Sequence, residues 1–152
     1  RHFGEDVVAV RKSAADYVVV AKVENAKEAA DAAWLTGRPA LAMIETPKGV
    51  IEAATIAAAT RGLIAGVNDL AATLHLPPGA GRGGLTYALQ RIVLAARAAH
   101  VAAFDGVFNG LDDPAGLEAD CREGRSFGFD GKTLIHPDQI APCKQAFAPT
   151  EA

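Results

Sequence analysis

The chain has 152 residues, 50% of them hydrophobic, with 15 Lys and Arg against 18 Asp and Glu. That length and apolar share fit a single domain over residues 1–152, and a net charge of −3 with a pI near 5.8 excludes a basic nucleic-acid surface or a polybasic membrane patch. No apolar run approaches the roughly 20 residues that span a bilayer, RHFGEDVVAV lacks the pattern of a signal peptide, and Cys121 and Cys143 show no metal-ligand spacing, so a reduced, cytoplasmic protein without a disulfide is expected.

Short β-branched runs alternate with longer, alanine-rich segments of helical period. The strand candidates in chain order are Tyr17–Val20, Leu41–Ile44, Leu63–Gly66, Val101–Phe104 and Thr133–Ile135, spaced as βα units are. Asn25 followed by Glu28 reads as a capping pair, and Gly37 as the end of that helix. Thr46-Pro47 places a capping hydroxyl before a proline, and the helix it opens is expected to run to Gly62. PPGAGRGG, residues 77–84, cannot continue a helix and reads as a projecting loop. The longest helix is expected at Leu85–His100, where Leu85, Leu89, Ile92, Ala96 and Ala99 form one apolar stripe. Asp113-Pro114 and His136-Pro137 start the last two helices.

Repeated βα units imply a parallel sheet, doubly wound or closed. Polar residues follow each strand candidate: Lys22 and Glu24, then Glu45, Asn68-Asp69, Asp105 and His136. A closed barrel draws its site from several strand ends, whereas a doubly wound sheet concentrates it at one switch point, so the α/β fold expected is a (β/α)₈ TIM barrel. Five strands cannot close such a barrel, and the chain is therefore expected to be the C-terminal portion of a longer polypeptide.

Glu45 and Asp69 end successive strands, one βα unit apart, which would point both carboxylates into one mouth. Carboxylates without Cys or His suit a hard cation, and two of them with waters and substrate oxygens are a usual Mg²⁺ arrangement. From the residues alone a second reading stays open, in which each acid caps the helix that follows it.

The segments DYVVVAKVENA, ALAMIETPKGVIEAATIA, GLIAGVNDLAATLHL, AFDGVFNGLDDPAGL and FGFDGKTLIHPDQI occur in the order they have in the citrate lyase beta-subunit family. The chain resembles that family, and more widely the malyl-CoA and citramalyl-CoA lyases and the HpcH/HpaI aldolases. The resemblance implies that Glu45 of IET and Asp69 of G-x-N-D-L bind Mg²⁺ at the ends of barrel strands five and six, so that the chain covers strands 4–8. It implies a carbon–carbon lyase that cleaves or forms a 3-hydroxy-acyl-CoA (or acyl-carrier) thioester, giving acetyl-CoA and a short oxo acid, in a homotrimer. The alternatives are a metal-dependent pyruvate aldolase that needs no CoA and a catalytically silent ligand-binding or scaffold barrel.

The resemblance also brings Glu45 against substrate through the metal and places His136 of IHPDQI near the coenzyme A moiety, though His136 reads equally as a residue ordering a strand-to-helix turn. Lys22 and Glu24 could position substrate or pair with each other. Asp105 reads as a support to the site, a cap or a buried acceptor, and Arg82 as a solvated loop residue or a phosphate contact. The general acid–base residue is not identifiable. The family's V-R-V-N arginine, which clamps the substrate carboxylate, has no motif here. Arg1 is the candidate for it, with a chain break expected between Arg1 and His2. An acidic patch after the family's second strand is absent, and the sequence stops at FAPTEA where relatives continue into a covering helix.

Overall fold

A computed structural model describes residues 3–149. Arg1, and with it the expected break before His2, lies outside the described residues.

Eight α-helices and five short strands alternate along the described residues. The strands are β1 (Val18–Val20), β2 (Ala40–Ile44), β3 (Gly62–Ala65), β4 (Ala102–Asp105) and β5 (Gly131–Lys132). The helices are α1 (Phe3–Lys12), α2 (Ala26–Thr36), α3 (Pro47–Ile51), α4 (Ala53–Ala58), α5 (Val67–Thr73), α6 (Thr86–Ala98), α7 (Pro114–Phe127) and α8 (Ile140–Phe147). The strands pair in parallel and in sequence order, β1-β2-β3-β4-β5.

Side chains alternate across this sheet. Ala42 and Ile44 of β2, Leu63 and Ala65 of β3 and Ala103 of β4 share one face through the observed register. They pack with Ala29, Val50, Ile56, Leu70, Leu89, Ile92 and Ala96 from the helices, forming the main core. The opposite face carries Val19, Leu41, Met43 and Phe104, which are partly or largely exposed. A sequential order of parallel strands with helices on one face is a layering that barrels share, whereas a doubly wound sheet has helices on both faces.

The capping signals are realised atom by atom. Asn25 accepts from the Glu28 amide at 3.0 Å, and the Glu28 carboxylate returns to the Glu24 amide at 2.8 Å. Gly37 closes α2 in the left-handed conformation at φ 68°. Thr46 accepts from the Gly49 amide at 3.1 Å and Asp113 from the Gly116 amide at 2.8 Å, each with proline next in sequence.

Three expectations need correction, the first being the longest helix among the described residues, which is α7 with 14 residues against 13 in α6. The helix expected from Thr46 to Gly62 is interrupted at Glu52, which separates α3 from α4 with φ −85° and ψ 5°. The last strand is Gly131–Lys132 rather than Thr133–Ile135. Lys132 belongs in the sheet because it meets a buried partner, Asp105, at 3.0 Å, while the Thr133 amide and hydroxyl both donate to the Asp105 carbonyl, at 2.9 and 3.0 Å. Helix α1 went unread, although Glu5 and Asp6 in its first turn and Arg11 and Lys12 in its last suit the helix dipole.

Candidate metal and substrate site

The polar residues after β1, β2 and β3 converge at one end of the sheet. Parallel pairing carries Ile44 beside Ala65, so the residues that follow, Glu45 and Gly66, leave adjacent strands together. The Gly66 amide donates to the Ile44 carbonyl at 2.9 Å, which extends the pairing to the mouth. Glu45 is 7% exposed, and Asp69 lies one turn into α5 with about half its side chain exposed. Both line a cavity of about 180 Å³ with Met43, Val67, Asn68 and Thr133.

Neither acid caps a helix. Thr46 fills the cap position of α3 and accepts from the Gly49 amide, and Gly66 fills that of α5, which has no side-chain cap bond. The capping reading therefore fails for both.

Lys22 joins the two acids. Its amide donates to Glu45 Oε1 at 2.8 Å, and its ammonium contacts Asp69 Oδ2 at 2.8 Å. The hydrogen bond to Asp69, with the attraction of that charge, holds the Lys22 pKa above its usual value. Lys22 takes up φ 53°, a left-handed conformation that costs a side-chain-bearing residue roughly 1–2 kcal/mol. That turn aims its amide at Glu45. Glu24 pairs with Lys48 at 3.4 Å instead of with Lys22.

A larger cavity of about 500 Å³ adjoins the first and shares Val67, Asn68 and Val107 with it. Asn68 and Asn109 exchange amide hydrogen bonds of 3.2 and 2.8 Å beside it. Its floor is apolar, from Leu76, Leu85 and Phe108.

Behind the mouth lies a charge cluster that sequence reasoning missed. Asp105 is fully buried. It accepts from Arg82 Nη2 at 2.9 Å and the Gly106 amide at 2.8 Å on one oxygen, and from Lys132 Nζ at 3.0 Å on the other. Arg82 also meets Asp120 and Glu123 at 3.0 Å each, and Lys132 contacts Asp120 closely. Asp105 is thus a buried acceptor, and Arg82 is neither a solvated residue nor a free phosphate contact; it pins the 77–84 loop to α7. A lysine immediately after the Phe-Asp-Gly of the last unit was the one available signal.

His136 caps the turn before α8, its Nδ1 accepting from the Asp138 amide at 3.3 Å, and it lines neither cavity. Cys121 and Cys143 are free and buried against one another between α7 and α8. Burial pushes the Cys121 thiol up to about 11, and it raises Cys143 as well.

The charged donors at the mouth are carboxylates only, with the neutral oxygens of Asn68 and Thr133 beside them, and among the described residues no third His, Cys, Asp or Glu joins them. The ammonium on Asp69 shows that the position favours positive charge. These features fit a hard divalent ion that fills its remaining positions with water or ligand oxygens.

Residues 1–137 match HpcH/HpaI aldolase/citrate lyase. The chain belongs to that family. Within the HpcH/HpaI group it is 42% identical over 151 residues to a (3S)-malyl-CoA thioesterase of Cereibacter sphaeroides, covering 97% of this chain and 53% of that protein. The chain thus spans about half the length of the curated relatives it matches. RipC of Yersinia pestis superposes with a TM-score of 0.89 at 32% identity, covering 96% of this chain and 71% of that one. The citrate lyase beta subunit of Mycobacterium tuberculosis, complexed with oxaloacetate and magnesium, has a TM-score of 0.85 at 34% identity, covering 95% and 67%. The protein CitE of Mycobacterium tuberculosis, in complex with magnesium, acetoacetate and coenzyme A, has a TM-score of 0.85 at 34% identity, covering 96% of this chain and 56% of that one. No helix among the described residues is long and apolar enough to cross a membrane.

Proposed function

We propose that this chain supplies the metal-binding half of a (β/α)₈-barrel enzyme, a Mg²⁺-dependent carbon–carbon lyase. It would cleave or form a 3-hydroxy-acyl-CoA thioester, giving acetyl-CoA and a short oxo acid. The observation that carries this reading is the pair Glu45 and Asp69, which share one cavity at adjacent strand ends with a cation already drawn to Asp69. The solved relative with magnesium, acetoacetate and coenzyme A supports the ligand classes. One-sided layering supports a barrel segment, and the numbering of its strands as 4–8 comes from family resemblance.

Glu45 and Asp69 would hold the ion. Bound Mg²⁺ supplies Lewis acidity toward the carboxylate and the carbonyl or hydroxyl oxygens of the short acid. The Lys22 amide fixes Glu45 by taking one of its oxygens. Val67 and Val107 line both cavities, and Leu76, Leu85 and Phe108 give the adjoining one part of an apolar lining. Arg1 as a carboxylate clamp and His136 as a coenzyme A contact remain part of the reading by family resemblance alone. So does a homotrimeric assembly, whereas a cytoplasmic setting is proposed from the composition and from two free thiols.

A second reading has its own support. The (3S)-malyl-CoA thioesterase relative favours hydrolysis of the thioester over cleavage of the carbon–carbon bond. Product analysis of the full-length protein with malyl-CoA, citramalyl-CoA and citryl-CoA separates the two. The lyase reading expects acetyl-CoA and an oxo acid, lost on adding EDTA. Free CoA with the intact hydroxy acid would establish the thioesterase. Cleavage of a hydroxy-oxo-acid with no thioester processed would move the protein to the pyruvate aldolases. Asp69→Asn should lower turnover by at least the roughly 10–100-fold that disturbing a metal's outer shell costs, with the unfolding midpoint unchanged.

A further inference from the structure

Lys22 differs from every other charged residue at the mouth in touching both acids, one through its backbone and one through its side chain. Its left-handed backbone fixes where the amide points, while its four-carbon stem leaves the ammonium free to move. The ammonium is about two-thirds exposed and Asp69 about half, so their contact can open toward water at little cost. An Mg²⁺ ion would sit about 2.0–2.1 Å from a carboxylate oxygen. An ammonium 2.8 Å from Asp69 Oδ2 takes up one approach to that oxygen and repels a second cation arriving at the same carboxylate.

We propose that Lys22 is a tethered cation that competes with the divalent ion for Asp69, while its backbone amide keeps Glu45 aimed at the mouth whichever cation is present. The inference rests on Glu45 and Asp69 being the metal pair. Lys22 is then a positioning residue with two separable parts. The amide belongs to the metal-loaded and the metal-free arrangements alike, and an unbranched side chain such as Met or Gln at position 22 retains it. The ammonium belongs only to the metal-free one, where it relieves the repulsion between two carboxylates at one strand mouth. The competition would keep the site from loading at low metal concentrations and would release a free ammonium at the rim when it loads.

The test is Mn²⁺ binding to the full-length protein, read by electron paramagnetic resonance of the free ion, for wild type, Lys22→Met, Lys22→Gln and Asp69→Asn. Thermal unfolding in EDTA and in saturating Mn²⁺ accompanies it. Both Lys22 variants should bind Mn²⁺ about two- to fivefold tighter than wild type, the worth of an exposed ion pair. The gain should fade at about 1 M salt, where the screening length is about 3 Å. Their unfolding midpoints should fall in EDTA and recover in Mn²⁺. Unchanged or weaker binding in both Lys22 variants, with binding abolished in Asp69→Asn, would overturn the competition and leave the metal pair standing. Binding that survives Asp69→Asn would remove the metal pair and the inference together.

Discussion

Gly66 has no room for a side chain: a Cβ there would stand 2.3 Å from Glu45 Cβ and 2.8 Å from Glu45 Oε2. The glycine that opens G-x-N-D-L is therefore a space-maker for the acid on the neighbouring strand. Gly66→Ala should push Glu45 out of the mouth before it unfolds the protein, since overpacking costs typically about 1–3 kcal/mol. Mn²⁺ affinity should drop while the circular dichroism spectrum is retained. Unchanged affinity would take Glu45 off the ligand pair. Residues whose partners lie three positions away were legible in the sequence, as Asn25 with Glu28 and Asp113 with Gly116 show. Arg82 was not, because its partner Asp105 lies 23 residues on, and a charged residue between glycines is read as solvated until the fold brings a buried acid to it.

Elements are joined here by buried charge as much as by apolar packing. Lys132 from β5 and Arg82 from the 77–84 loop meet Asp105 of β4 and Asp120 of α7, tying two strands, a loop and a helix together. Gly124 of α7 fits this arrangement only because it lacks a Cβ, which would lie 2.5 Å from Asp105 Oδ2. Lys132→Met leaves the fully buried Asp105 short of one partner and should destabilise the fold by about 3–5 kcal/mol, measured by urea unfolding. A loss under 1 kcal/mol, within about the range of surface pairs, would mean that Arg82 alone compensates. The same cluster explains the misplaced last strand. Sequence reading prefers Thr-Leu-Ile to Gly-Lys for a strand, and only the ion pair makes the lysine an inward residue.

A second tie between elements carries a pH signature. Asp130 sits at the entry to β5, accepts from Arg97 of α6 at 2.8–2.9 Å and receives the Ala103 amide of β4 at 2.8 Å. Burial pushes its pKa up, but the Arg97 and Ala103 hydrogen bonds outweigh that and hold it below the usual carboxylate value. Its contribution is present above the ordinary aspartate range and is lost as the pH falls through the depressed value. The group is partly exposed and screened, so the amount is at most about 1 kcal/mol. Asp130→Asn should therefore lower the unfolding midpoint at neutral pH and converge with wild type as the pH falls through that depressed value, below the roughly 3.9 at which unperturbed aspartate titrates. Parallel curves across that range would assign the effect to packing.

At the scale of the whole molecule the sheet is layered on one side only. The periodicity of the helices and the order of the units were open to sequence reading because each βα unit is local. Closure was not, because it depends on pairings beyond the described strands. In the barrel reading, Val19, Leu41, Met43 and Phe104 face a filled interior, whereas in an open sheet they face water. Val19 is 51% exposed in the described sheet, which makes it the sharpest reporter. In the full-length protein, Val19→Cys should react with a maleimide far more slowly than Lys27→Cys, whose parent side chain is 81% exposed on α2. The native thiols will not obscure the comparison, because Cys121 and Cys143 are buried and their raised pKa values keep them protonated at neutral pH. Equal rates at positions 19 and 27 would mean that the second face is open to solvent in the complete protein, and the closed (β/α)₈ barrel would have to be abandoned for a one-layer α/β sheet.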